Sequence, residues 1–243
     1  MNVNRHTPTL SVMDPRALAI RSVGYCRHPD TPVIETRITR QVFDAAGRPV
    51  ESWDSRLWGA APKPNLCTVY GLNGQPFLVD SVDAGWQLNL LDQAGFPCSF
   101  WDARGSQRHT DYDDQQRPIA VREHSAGEQP RVVGRLTYGD SDPAFAAHNQ
   151  CGKLIRHDDP AGTQFVTGYG LAGTVLAENR CFLVDLETPD WPIELEARDA
   201  LLEDQSFVTC HAFNPTGELR CQTDALGNDR TFHYDLAGGL SEA

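Results

Sequence analysis

Lysine is almost missing from this sequence, with 2 against 19 arginines, and basic residues nowhere gather into a run. Lys plus Arg total 21 against 33 Asp plus Glu, a formal net charge of −12 at pH 7. Nucleic-acid affinity rests on clustered cations, so nucleic acid is not an expected partner. The same lack gives an anionic membrane surface nothing to hold. No apolar stretch approaches the roughly 18 residues that span a bilayer, and no direct membrane insertion is expected. The opening MNVNRHTPTL lacks the apolar centre of a secretory signal peptide, which predicts synthesis in the cytoplasm without Sec-type export.

The motifs that carry common chemistries are missing too. There is no GxSxG, HExxH, Walker loop or GxGxxG. The seven cysteines (Cys26, Cys67, Cys98, Cys151, Cys181, Cys210 and Cys221) form no CxxC, and their odd number and wide spacing suit reduced thiols, not a disulfide framework. Cys26 with His28 and Cys210 with His211 are the close Cys/His pairs, short of the two tight pairs a structural zinc site uses. Asp111, Asp113 and Asp114 suggest the start of a calcium loop, but Gln116 and Arg122 stand where that loop needs Gly and Glu. No catalytic, cofactor-binding or metal-binding residue is assigned, and the chain reads as non-enzymatic, with no cofactor.

What is abundant is turn chemistry. Asp outnumbers Glu by 22 to 11, and 20 Gly and 16 Pro accompany it. Asp, Gly and Pro favour turns where Glu and Lys favour helices. The hydrophobic fraction of 40% is enough for a folded chain. This balance predicts a mainly β protein of many short strands.

The turns recur in register. Asp/Asn-x-x-Gly occurs at Asp44–Gly47, Asp92–Gly95, Asp102–Gly105, Asn149–Gly152, Asp159–Gly162, Asn214–Gly217, Asp224–Gly227 and Asp235–Gly238. Starts at 92, 102 and 113, at 149, 159 and 170, and at 214, 224 and 235 step by 10 and then 11. The third member of each triplet follows a tyrosine: Tyr112-Asp113, Tyr169-Gly170 (closing at Gly173) and Tyr234-Asp235. An earlier triplet runs Asp44, Asp54, Tyr70-Gly71, with six residues inserted within SRLWGAAPKPN. Four copies thus begin near 44, 92, 149 and 214. Asp first and Gly fourth is the pattern of a type I turn whose Gly forms the bulge that closes a hairpin. Each repeat is then a tight turn plus six or seven strand residues, and 228–234 shows the matching alternation. Residues 1–36 carry no such copy and read as an N-terminal arm with strands near Leu18–Tyr25, leaving 37–243 as the repeat region. One helical insertion is expected at about 190–205, with Asp190 as cap and Pro192 in the first turn.

These residues resemble the YD repeats of RHS proteins, an aromatic-Asp-x-x-Gly-Arg unit matched best by Phe43-Asp44-Ala45-Ala46-Gly47-Arg48 and Tyr234-Asp235-Leu236-Ala237-Gly238. The longer stretches ITRQVFDAAGRPVESWD, VYGLNGQPFLVDSVDAGWQLNLLDQAGF and FWDARGSQRHTDYDDQQRPIAV are similar to the N-terminal RHS portion of the C component of insecticidal toxin complexes. The resemblance implies a strip of antiparallel hairpins that forms part of a spiral hollow shell. It implies the B component as partner and, through it, the pore-forming A component. The implied role is to encapsulate and help deliver a C-terminal toxin effector, in a complex released from the bacterium. The sequence ends just past its fourth copy, so neither effector activity nor the family's self-cleaving residues carry over to it. The alternative is a carbohydrate- or receptor-binding adhesin module, in which Trp53, Trp58, Trp86, Trp101 or Trp191 would stack on sugars.

Overall fold

Turns every ten or eleven residues leave room for strands of about six residues, each able to pair only with its neighbours in sequence. The computed structural model describes residues 7–31 and 33–242; residues 1–6, with His6 and the start of the expected arm, lie outside the described residues, as do Pro32 and Ala243. The chain divides into two units, Met1–Gln107 and Arg108–Ala243.

The first unit contains β1 (Leu10–Met13), β2 (Ala19–Arg27), β3 (Ile34–Phe43), β4 (Pro49–Trp53), β5 (Leu66–Tyr70), β6 (Pro76–Ser81), β7 (Gly85–Leu91) and β8 (Pro97–Asp102). Each pairs antiparallel with the next. The stretch read as an arm therefore holds β1, β2 and the first residues of β3. The second unit follows from β9 (Gln107–Tyr112), with β10 (Pro118–His124), β11 (Arg131–Tyr138), α1 (Pro143–Ala146), β12 (Leu154–Asp159), β13 (Gly162–Tyr169) and β14 (Val175–Leu183). Then come α2 (Leu195–Asp199), β15 (Leu202–Phe213), β16 (Leu219–Thr223), β17 (Asp229–Thr231), β18 (His233–Tyr234) and β19 (Leu240–Glu242). From β10 to β17 each strand again pairs antiparallel with its successor. β18 and β19 form a small ladder of their own. The class is mainly β, as expected: seventeen strands lie in antiparallel sheet and two short helices occur among the described residues.

The strand register slips at Val42/Phe43, Val69/Tyr70, Leu90/Leu91, Thr137/Tyr138 and Ala212/Phe213. Each slip sits at the last pair before a turn, where the bulge adds a residue to the outgoing strand. The buried hydrophobic residues among those described are Ala120, Val133, Val166, Tyr169, Leu183 and Trp191, all in the second unit. Most apolar strand residues of the first unit are half-buried, as in a sheet with one wet face.

Three local expectations need correction. The helix expected over 190–205 is only α2, with Glu194 at its N-cap and no side-chain capping bond. Asp190 instead accepts a hydrogen bond from the Val132 backbone N–H at 2.8 Å, so it ties the chain down and does not cap. Leu202 onward is strand, because pairing with β14 satisfies a longer run of backbone than one more helical turn. α1 went unforeseen; Asp142 caps it by accepting from the Ala144 N–H at 2.8 Å, with Pro143 in its first turn. The strand read over 228–234 is broken at Phe232, whose N–H donates to the Arg220 carbonyl at 3.0 Å.

Candidate functional site: repeat turns, tyrosine clamps and a buried strap

The unit of the architecture is a turn closed by two backbone hydrogen bonds. The N–H of the first residue donates to the carbonyl of the fifth, and the N–H of the fourth donates back to the first. Among the described residues this pair occurs at ten turns, opening at Asp14, Asp44, Gly71, Asp92, Asp102, Asp113, Gly170, Asn214, Asp224 and Asp235. The side chain at the first position adds to it. Asp102 Oδ1, for example, accepts from the Arg104 and Ser106 N–H groups, both at 2.9 Å. Asp92, Asp113, Asn214, Asp224 and Asp235 do the same at 2.8–3.1 Å. At Gly71, which has no side chain, Asn73 Oδ1 accepts from the Gln75 N–H at 3.0 Å.

The fourth residue must enter the left-handed region. Gly47, Gly95, Gly105, Gly173, Gly217, Gly227 and Gly238 all do so, with φ between +79° and +90°. Two turns lack glycine there and pay in strain: Gln116 sits at φ +60° and Ala17 at +62°. The Ala17 turn, opened by Asp14, lies inside the stretch read as free of repeats.

Two predicted positions are built differently. Asn149 opens no hairpin: it sits at φ +54° just past α1, and its Nδ2 donates to the Tyr169 carbonyl at 2.9 Å. The turn that Gly152 closes opens at Gly139. Gly139 N–H donates to the Lys153 carbonyl at 2.9 Å, and Gly152 N–H donates to the Gly139 carbonyl at 2.7 Å. Residues 140–151, with α1, are thus an insertion inside one repeat turn, and Tyr138 is the tyrosine that precedes it. At Asp159 and Gly162 the two residues pair across a turn made of Pro160 and Ala161 alone. A Cβ on Gly162 would run into the Cys181 carbonyl oxygen and pass 2.8 Å from Phe182 Cα.

The tyrosines before turns act as clamps. Tyr70 ends β5; its hydroxyl donates to the Pro49 carbonyl at 3.0 Å, and Arg48 lies over its ring at 4.8 Å. Tyr138 ends β11, donates to the Pro118 carbonyl at 2.9 Å and carries Arg117 at 4.3 Å. Tyr169 ends β13, donates to the Leu154 carbonyl at 2.6 Å and carries Lys153 at 4.6 Å. In each case the cation is the residue just past the fourth position of one turn and the tyrosine precedes the turn two strands further on. Arg48 and Arg117 also return to the aspartate that opens their own turn, Nε to Oδ2 at 2.7 Å in both. The carboxyl of Asp44 is held below the ordinary carboxylate range by the Arg48 backbone N–H and then its guanidinium. That of Asp113 is lowered by the Arg117 side chain first. Burial raises the Tyr138 and Tyr169 hydroxyls. Tyr234 is half-buried at the end of β18, before its turn at Asp235. Tyr112 likewise ends β9, before the Asp113 turn.

The insertion in copy one folds back on its own unit. Asp54 N–H donates to Asn65 Oδ1 at 2.7 Å, so a side chain replaces the missing fifth-residue carbonyl. Trp58 then packs edge-on to Trp53 at 5.8 Å and lies under Arg40 at 4.9 Å.

In the second unit the segment 184–201 forms a strap held by buried polar groups. Asp158 is 0% exposed and accepts from Arg156 Nε at 2.7 Å, Thr163 Oγ1 at 2.6 Å and Arg198 Nη1 at 2.7 Å. Trp191, 1% exposed, donates its backbone N–H to the Val132 carbonyl at 2.9 Å and its indole N–H to the Asp159 carbonyl at 3.2 Å. Arg135 Nε donates to the Trp191 carbonyl at 2.8 Å, and burial lowers the Arg135 pKa. Asp159 is clamped by Arg180 through two hydrogen bonds of 2.6 and 2.7 Å. Burial works to raise the Asp159 pKa and those bonds outweigh it, leaving it lowered. Spacing alone gives no notice of the Arg156–Asp158–Arg198 group; the one hint was an Arg-His-Asp-Asp run at 156–159 too charged for an ordinary strand.

Among the described residues no three His, Cys, Asp or Glu side chains gather in a way that would hold a metal ion. His28 lies 3.4 Å from Asp30 at the surface. The geometry is that of hairpins locked turn to turn, with one strap pinned by charge.

No protein-family model matches the chain. It is 34% identical over 253 aligned residues to the toxin subunit YenC1 of Yersinia entomophaga, covering 99% of this chain and 26% of that protein. The toxin subunit YenC2 of the same organism is 30% identical, covering 97% of this chain and again 26% of its own length. The crystal structure of TcdB2–TccC3 superposes with a TM-score of 0.87 at 34% identity, over 98% of this chain and 12% of that one. The fold is thus that of an RHS-repeat protein. The chain is homologous to the C-component subunits of insecticidal toxin complexes and corresponds to an RHS/YD-repeat portion of them, spanning about a quarter of the length of its curated relatives.

Proposed function

We propose that these residues form a non-enzymatic wall segment of an RHS-repeat shell that encapsulates a C-terminal toxin effector and helps deliver it. The turns at Asp44, Gly47, Asp92, Gly95, Asp102, Gly105, Asp113, Gly173, Asn214, Gly217, Asp224, Gly227, Asp235 and Gly238 serve as its structural repeats, and the strip begins in the N-terminal arm, at Asp14. The observation that carries this reading is the repeated clamp: Tyr70, Tyr138 and Tyr169 spend their hydroxyls and ring faces on the neighbouring turn. A wall needs such self-locking, and it leaves those groups nothing for a substrate. The superposition on TcdB2–TccC3, a structure whose name pairs two toxin components, supports a B component as the partner and a toxin complex as the setting. The A component would then be reached through the B component, and the chain would leave the bacterium within that complex.

The test is assembly. The chain, co-expressed with a B component, should co-elute with it at a shared, larger size. Separate elution of two intact folded proteins overturns the reading. Saturable glycan binding lost on Trp86→Ala would favour the adhesin alternative, since Trp86 is the exposed tryptophan, at 43%.

A further inference from the structure

One face of β1–β3, in the first unit, is basic and apolar in an otherwise acidic chain. Leu10 pairs with Val23, Val12 with Arg21, Val23 with Ile38 and Arg21 with Arg40, so these side chains share that face. Leu10 and Val12 are 47% and 43% exposed, and Val23 and Ile38 are half-buried beside them. The one acid in the three strands, Glu35, pairs with Cys26 and lies on the other face. Glu51 of β4 shares the face of the arginines but stands opposite Val42, on the turn side of Arg40 and away from the apolar floor.

Arg21 and Arg40 are directly opposite each other across the ladder, an arrangement that costs stability when the charges are alike. Both are exposed, and among the described residues neither makes an ion pair or a side-chain hydrogen bond. What they share is the Trp58 ring, whose centroid lies 5.7 Å from the guanidinium carbon of Arg21 and 4.9 Å from that of Arg40. Stacking occupies the flat side of a guanidinium; its N–H donors lie in the plane and stay free for a carboxylate. A carboxylate held between the two forks also removes their mutual repulsion. The Val23–Ile38 pair is two residues further along the strands, about 7 Å away, and the Tyr25–Thr36 pair follows at the same step. An extended segment advances by that step too. With its carboxylate on the arginines, its side chains two and four residues on lie over those two pairs. An anionic membrane is the poorer match, because a net charge of −12 repels it.

We propose that this face docks an extended segment of a partner polypeptide that carries an acidic residue followed, at alternate positions, by apolar ones. The proposal goes beyond the wall role and is tested without a B component, so the two stand or fall separately. The probe is acetyl-Glu-Ser-Leu-Ser-Leu-amide, titrated into the full chain by calorimetry, with acetyl-Lys-Ser-Leu-Ser-Leu-amide as the control. The glutamate peptide should saturate with a Kd of about 0.1–1 mM, and the lysine peptide should bind at least about tenfold more weakly. Arg21→Glu sets an opposite charge across from Arg40 and closes the clamp from within. It should weaken the glutamate peptide at least about tenfold while the melting temperature holds or rises. Should that variant fail to fold, Arg21→Gln takes its place, with the same loss of binding expected. Val12→Ser, on the exposed floor, should weaken the glutamate peptide about threefold. No saturation by about 5 mM, equal binding of both peptides, or binding indifferent to the Arg21 substitutions overturns the proposal. So does sedimentation with phosphatidylglycerol vesicles that the Arg21 substitutions abolish, with no saturation by the peptide, which would assign the face to a lipid surface.

Discussion

Gln116 shows at single-residue scale what the repeat demands. It fills the fourth turn position at φ +60°, where glycine stands in the Asp44, Asp92 and Asp102 turns. Replacing it with glycine relieves a left-handed strain that costs about 1–2 kcal/mol, offset in part by glycine's freedom in the unfolded chain. Gln116→Gly should therefore stabilise the fold by about 0.5–1 kcal/mol, seen as a raised denaturation midpoint. Gly162→Ala should act in the opposite sense and more strongly. The new Cβ meets the Cys181 carbonyl and Phe182 Cα, both backbone, so the β13–β14 pairing must open. A loss of about 3 kcal/mol is expected; a change below about 1 kcal/mol would contradict the close packing of that turn. The aspartates supply a pH signature. The carboxyls of Asp14, Asp44, Asp113 and Asp224 are lower in the folded chain than their ordinary value. A lowered folded pKa adds stability that is fully present above the unfolded value, near pH 4, and is lost as pH falls through the folded value. Denaturation midpoints should hold from neutral pH down to about pH 5 and drop below about pH 4. Asp113→Asn together with Asp44→Asn should flatten that drop.

Elements show which parts of the architecture a one-dimensional pattern carries. Strand class followed from turn spacing because a type I turn with its bulge is local: four residues and two hydrogen bonds decide it. The Asp14 turn escaped notice because Ala17 stands in the glycine position. The opening of the Gly152 turn was misplaced because its first residue, Gly139, is separated from it by an insertion that carries its own helix. Asn149 mimicked the pattern while serving that insertion. The tyrosine clamp was half legible: the tyrosines stood out by position, but their cations, Arg48, Arg117 and Lys153, become partners only when two strands lie side by side. The strap was not legible, since Asp158 and Arg198 are 40 residues apart. Each element-level lock has its own prediction. Tyr138→Phe removes the bond to the Pro118 carbonyl but keeps the ring under Arg117, so it should cost about 1 kcal/mol. Asp158→Asn leaves two buried arginines without their shared carboxylate and should cost about 3–5 kcal/mol. Trypsin should then cut preferentially at Arg198 in the loosened strap. Equal stability of Asp158→Asn and the parent chain would show that the charge group does not hold the strap.

For the whole molecule, the governing feature is how little of it is fully buried. Among the described residues six hydrophobic side chains are buried, only Trp191 of them completely, and many large apolar side chains stay open to solvent, among them Leu10, Val12, Met13, Val69 and Val208. Hydrogen-bonded hairpins and turn clamps hold such a strip together locally, as neighbouring units do in repeat proteins. Stability then depends on what covers its open faces and edges. A net charge of −12 favours solubility of the uncovered chain. The toxin subunits to which it is homologous are about four times as long. The measurement that tests the wall reading most directly is thermal unfolding of the chain alone and after co-purification with a B component. The account predicts a low, broad transition for the chain alone and a rise of about 5 °C or more in the complex. A sharp transition at high temperature for the isolated chain, unmoved by the B component, would contradict it.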